Sequence, residues 1–130
     1  MGRLRRVRGD RGSAVVDFVL VTIILVPLVL GIVQIALVLY VRNTLASAAS
    51  EGARFGATLD HGPDDGEARA RQQILGVLSG RYTRSISARK TALDGAPAVE
   101  VTIKATVPAM GIGGPAVSLT VRGHAIQERR

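Results

Sequence analysis

Residues 18–41, FVLVTIILVPLVLGIVQIALVLYV, run for 24 positions without a formal charge and are interrupted only by Thr22, Pro27, Gly31, Gln34 and Tyr40. At about 1.5 Å per residue a helix of this length is roughly 36 Å long, more than the roughly 30 Å of hydrocarbon in a bilayer. The stretch predicts a transmembrane helix. It is apolar on every side, and a chain of 130 residues with 3% aromatics has too little other material to wrap it as a core helix. Pro27 removes a backbone donor from the helix interior, so a kink is expected near Val26.

The flanks orient the helix. Arg3, Arg5, Arg6, Arg8 and Arg11 against Asp10 place +4 of the total net charge of +7 ahead of position 13. That head group belongs on the cytoplasmic side by the positive-inside rule, which puts the bulk of the chain outside. It also explains why a mean hydropathy of +0.27 coexists with 21% charged residues: charge and apolar surface occupy different stretches. A cleaved secretory signal would share the basic start, the apolar run and Ala46-Ser47-Ala48. Its apolar core should span about 7 to 15 residues and be followed by neutral positions, and here Arg42 stands among them. The absence of cysteine excludes disulfides and thiolate metal sites, and the length excludes most multi-part enzymes.

Asp17 demands a reason, because a carboxylate at the edge of a long apolar helix is expensive unless it has a partner or sits in the first helical turn. Immediately before it stand Arg11, Gly12 and Ser13. The stretch from Arg11 to Phe18 (RGSAVVDF) resembles a prepilin cleavage site, where a basic leader ends in Gly and the fifth mature residue is acidic. With Ser13 as first mature residue, Asp17 is the fifth. Pro27 in mid-helix, Gly31-Ile32-Val33, the run from Leu39 to Leu45, and Ala48-Ala49-Ser50-Glu51-Gly52-Ala53-Arg54 extend the match. Together these resemble the TadE-like proteins, minor pilins or pseudopilins of the tight-adherence (Flp type IV) pilus system. One departure is Asp17, where the family pattern has Glu.

The resemblance implies a precursor cut after Gly12 by a prepilin peptidase, with Gly12 and Ser13 as processing residues and Asp17 and Phe18 as assembly residues meeting other pilin or pseudopilin subunits. Glycine suits such a cut because it leaves helical geometry easily. The new Ser13 amine and the Asp17 carboxylate of a neighbour could then pair between packed helices, turning a costly membrane charge into a register device.

Beyond Val41 no proline occurs before position 59, so the helix is expected to continue outward. Ala48, Gly52 and Gly56 repeat small residues every four positions, the spacing of close helix contacts, and Gly52 and Gly56 are candidate assembly residues on that ground. The stretch from Leu59 to Pro63 breaks the helix. Pro63, Asp64, Asp65 and Glu67 read as the first turn of a second helix whose apolar face is Ala70, Ile74, Val77 and Leu78, up to Gly80.

From there the period becomes two. Tyr82, Arg84, Ile86 and Ala88 alternate loosely, and Asp94-Gly95 and Pro97 supply turn chemistry. Val99, Val101, Ile103, Ala105 and Val107 then alternate with Glu100, Thr102, Lys104 and Thr106; Val117, Leu119, Val121, Gly123 and Ala125 repeat the scheme against Ser118, Thr120, Arg122 and His124. The expectation is an α+β fold: a three-stranded antiparallel sheet with one face on two helices. The parts are a leader at 1–12, the helix and its extension at 13–59, and a small outer domain at 60–130.

Chemistry is scarce. His61, Asp64 and Asp65 read as a solvated loop and not as a metal site. Residues 111–114, GIGG, lie between strands and open no helix, so they form no phosphate cradle; Met110 before them and Ile112 within them either insert into a partner or fold onto their own domain. No enzyme, cofactor or small-molecule substrate is expected, and nucleic-acid binding is disfavoured because the basic cluster is leader and no aromatic platform exists. The expected function is that of a minor pilin contributing to pilus assembly or adhesion. The alternative is an uncleaved single-pass membrane protein with a small outer binding domain.

Overall fold

The computed structural model describes residues 10–110 and 115–129. The leader arginines Arg3, Arg5, Arg6 and Arg8 and the 111–114 segment lie outside the described residues. Helix α1 spans Asp10–Ala57 and α2 Pro63–Val77; strands β1 (Thr83–Leu93), β2 (Ala96–Val107) and β3 (Val117–Ile126) follow. The strands form one antiparallel sheet in the order β1-β2-β3, and the α+β expectation is met.

Helix α1 continues through Pro27 without a break. Thr22 and Thr44 return their hydroxyl protons to the carbonyls of Phe18 (2.7 Å) and Tyr40 (3.0 Å), so neither side chain carries an unsatisfied donor. Helix α2 starts as its sequence dictates: Pro63 needs no donor in the first turn, and the Asp65 carboxylate accepts the Gly62 N–H at 2.9 Å. Its buried face is Gly66, Ala70 and Ile74, continued by Leu78 just past the helix end. Val77, expected on that face, is 55% exposed; a helix that presents positions 66, 70 and 74 turns 77 away.

Asp94 and Gly95 both have positive φ, 50° and 79°, and join β1 to β2 through a two-residue turn whose twist matches that of the strands. Pro97 is not part of the turn. It lies in β2 opposite Ala92, and its carbonyl accepts the N–H of Gln127. Side chains of Val101, Ile103, Ala105 and Val107 from the central strand pack with Val121 on a core whose other wall is Val41, Leu45, Ala48, Ala49 and Ala53 of α1. The C-terminal half of α1 therefore supplies one side of the core, and the domain is built on the helix, not appended to it.

Two of these contacts are made backbone to backbone. A Cβ on Gly52 would lie 2.5 Å from the Gly66 carbonyl oxygen, and one on Gly56 would lie 2.8 Å from that of Gly62. On the sheet side, a Cβ on Gly123 would meet the Ala49 carbonyl oxygen and the Ser50 nitrogen, each at 2.5 Å. The small-residue spacing thus marks a close approach, but Gly52 and Gly56 are buried against α2 of the same chain. At both glycines the close neighbour within the described residues is the backbone at Gly62 and Gly66.

Candidate functional site

The two halves of α1 face different surroundings. From residue 14 to residue 33 every side chain but Thr22 is exposed, including Val15, Phe18 (72%), Ile24 (71%), Leu25 and Ile32. Twenty residues at about 1.5 Å each measure roughly 30 Å, the thickness of a hydrocarbon core. Outward from Val41 one side of the helix is buried under sheet and α2. A water-soluble protein leaves no such apolar cylinder uncovered. The helix is long and apolar enough to cross a membrane once, near the amino terminus.

The processing and assembly residues taken from the sequence fall on the uncovered half. Gly12 and Ser13 lie in α1 and are exposed, and among the described residues no atom beyond the helix's own backbone and the adjoining residues comes within 4 Å of a Cβ placed on Gly12. Asp17 and Phe18 follow about one turn later. Asp17 is exposed and has no ion-pair or hydrogen-bond partner among the described residues. The structure therefore brings Gly12, Ser13, Asp17 and Phe18 onto one bare segment, and separates from them Gly52 and Gly56, which are closed in by α2.

Where the halves meet stands Gln34. Its Nε2 donates to the Pro108 carbonyl at 3.2 Å and its Oε1 accepts the Met110 N–H at 2.7 Å, so the segment after β2 is fastened to the helix inside the run that the sequence assigns to the membrane. The sequence shows Gln34 only as an interruption; a polar side chain with two hydrogen-bonding ends in an apolar helix was the available signal.

On the sheet face turned away from the helices, three strands align Arg89, Glu100 and His124 in one row. Glu100 is 7% exposed, with Arg89 Nε and the second guanidinium nitrogen both 2.7 Å from Oε1 and His124 Nε2 at 2.7 Å from Oε2. Burial pushes the Glu100 carboxyl upward, but the hydrogen bonds from His124 and Arg89 and their charge outweigh it and hold it below the usual carboxylate range. His61 is elsewhere: it hydrogen-bonds Thr58 at 2.9 Å and lies against Phe55, ring centroids 4.1 Å apart. Among the described residues no three His, Asp or Glu side chains gather as metal ligands.

Bare apolar helix, helix-built core and open polar sheet face define a small α+β protein suited to single-pass membrane anchoring. Residues 12–54 match the model of the family described as TadE-like protein, the family whose motifs this sequence resembles. The match begins at Gly12 and ends at Arg54, covering the bare half of α1 and most of its covered half. No curated protein and no solved structure matches the chain.

Proposed function

We propose that the chain is a pilin-like subunit of a tight-adherence pilus system, inserted with its amino terminus in the cytoplasm and its sheet outside, and cut after Gly12 by a prepilin peptidase. The observation that carries the reading is the family match that opens at Gly12 and runs along α1, together with an Asp17 that has no partner within the described chain. An unpaired carboxylate five residues into the mature helix suits a subunit whose neighbour brings the counter-charge, the freed amine of Ser13. Membrane, peptidase and other pilin or pseudopilin subunits are its partners; its role is assembly or adhesion, with no catalysis, cofactor or small-molecule substrate of its own.

Gly12 makes the test clean. Its surroundings among the described residues are open, so Gly12→Val disturbs no packing there and should act on recognition and on the ease with which the helix opens for the cut. Amino-terminal sequencing of protein recovered from membranes should read Ser13 in the parent and Met1 in Gly12→Val. Asp17→Asn should still be cut and stay in the membrane but fail to join other subunits, and Asp17→Glu should retain both steps. Met1 in the parent would leave the uncleaved membrane protein with an outer binding domain; Ala49 would mean a secretory signal.

A further inference from the structure

We infer that the free edge of β1 is a docking site for an extended segment of another protein, one that alternates acidic with apolar residues and adds to the sheet as a fourth strand. The inference depends on neither the cleavage nor the anchoring proposed above. Within the described residues β1 pairs with β2 alone, so its other edge is open along a strand of 11 residues. The two-residue turn makes Leu93 and Ala96 a hydrogen-bonded pair, and along an antiparallel ladder such pairs recur at every second residue. The Thr106 N–H on the Tyr82 carbonyl, at 2.8 Å, belongs to the same even-numbered series on β2. Ile86, Ala88 and Lys90 therefore point their N–H and carbonyl groups away from β2, where a further strand at about 4.8 Å would meet them.

A groove of about 220 Å³ lies between this edge and α2, with Ile74, Leu75 and Ile86 as its apolar walls. Leu75 is 63% exposed, so that wall stands uncovered. Thr83 lines the same groove, and its hydroxyl is buried without a hydrogen-bond partner among the described residues. The register shift between Thr83 and Ser85 leaves Arg84 out of the pairing, at the rim of the groove. Ile86 and Ala88 pack toward the core under the helices, so the helix-facing side chains of an added strand fall over the groove. Charge selects the occupant. Strand β1 carries Arg84, Arg89 and Lys90 and no acid, and Arg71 lines the groove, bonded to Glu67 at 2.8 Å. Arg84 reaches the Thr106 hydroxyl at 3.4 Å and forms no ion pair among the described residues. These cations repel a second copy of β1 laid along the edge and attract carboxylates. The apolar walls call for apolar side chains at the positions between.

The probe is a fluorescein-labelled synthetic peptide of about nine residues, alternating glutamate with valine or leucine, mixed with the full chain in detergent micelles. It should bind, and should slow hydrogen exchange at the Ile86, Ala88 and Lys90 amides about tenfold. Leu75→Ser, at an exposed position, should leave the melting of the domain unchanged and weaken binding about tenfold. The same peptide with alternate backbone nitrogens methylated keeps its charge but cannot pair along the edge, and it should not bind. The inference is overturned if the first peptide fails to bind, if the methylated peptide binds equally well, or if those three amides exchange as before. Protection of the same amides in the chain alone, rising with its concentration, would make a second copy the occupant and overturn it as well.

Discussion

Residues 14–33 and residues 41–57 belong to one uninterrupted helix and differ in what their side chains are for. The first stretch turns Val, Leu, Ile and Phe outward on all sides. In the second, the buried positions are mostly Ala and Gly: Ala48, Ala49, Gly52, Ala53, Gly56 and Ala57, with Val41 and Leu45 as the bulky exceptions. In the membrane anchoring proposed for this chain, the first half needs apolar area because lipid is fluid and fits any shape. Its partner in the second half is solid, so small residues matter there, letting α2 and β3 approach the backbone itself. Hydrophobicity specifies one half and shape the other.

That contrast can be broken from either end. Leu25→Arg, in the bare half, should cost about 3 kcal/mol of membrane insertion and leave the thermal unfolding of the outer domain unchanged, as extraction and melting experiments on one preparation would show. Gly52→Ala or Gly123→Ala should do the opposite. Each added methyl meets backbone that cannot move aside freely, and each should destabilise the domain by about 2 kcal/mol without weakening insertion. A Gly52→Ala protein as stable as the parent would mean that α2 tolerates displacement and that the glycines serve something other than this contact.

A second comparison sets the two faces of the sheet against each other. The inner face is held by burial and should be indifferent to pH, whereas the outer face is tied by Glu100. Because the folded Glu100 carboxyl lies below its unfolded value of about 4.5, its contribution is complete above that pH and is lost as pH falls through the folded pKa. The parent domain should lose stability on acidification over that range. Glu100→Gln should cost about 1–2 kcal/mol at neutral pH, moderated because the Arg89 side chain is 71% exposed, and should flatten the acid limb of the profile. Equal acid sensitivity in Glu100→Gln would place the sensitive carboxylate elsewhere.

How far these features were legible follows from their physics. The membrane helix and the strands announce themselves through composition and period, which need no partner to be recognised. The Arg89–Glu100 pair was also within reach, since a two-residue turn at Asp94-Gly95 fixes the register and counting outward sets the two side chains opposite each other. His124 was not, because the connection from β2 to β3 is long and a loop of that length leaves the register of the third strand open. The spacing of Gly52 and Gly56 declared a close contact but not its partner: a four-residue repeat reads the same whether the second helix comes from the same chain or from another. Pro97 misled for a different reason. Its missing donor is tolerated at the first positions of a strand, so proline next to a turn does not have to belong to it.

Gln34 yields the smallest effect and the sharpest test of the boundary between the two halves. Replacing it by Leu improves the apolar character of α1, so insertion should be unchanged or slightly favoured, while the Met110 N–H loses its acceptor and the Pro108 carbonyl its donor. Loss of such a bond is worth about 1 kcal/mol, which corresponds to roughly fivefold faster hydrogen exchange at the Met110 amide, with Val101 and Ile103 in the centre of the sheet unaffected. Gln34→Glu separates the two bonds, because a carboxylate still accepts from Met110 but offers nothing to Pro108. It should preserve most of the protection at Met110 and, by adding a charge to the apolar helix, weaken insertion where Leu does not. Unchanged exchange at Met110 in Gln34→Leu would show that the segment is held by its own strand ends, and the junction between the bare and the covered half of the helix would then lie above Gln34, at Val41.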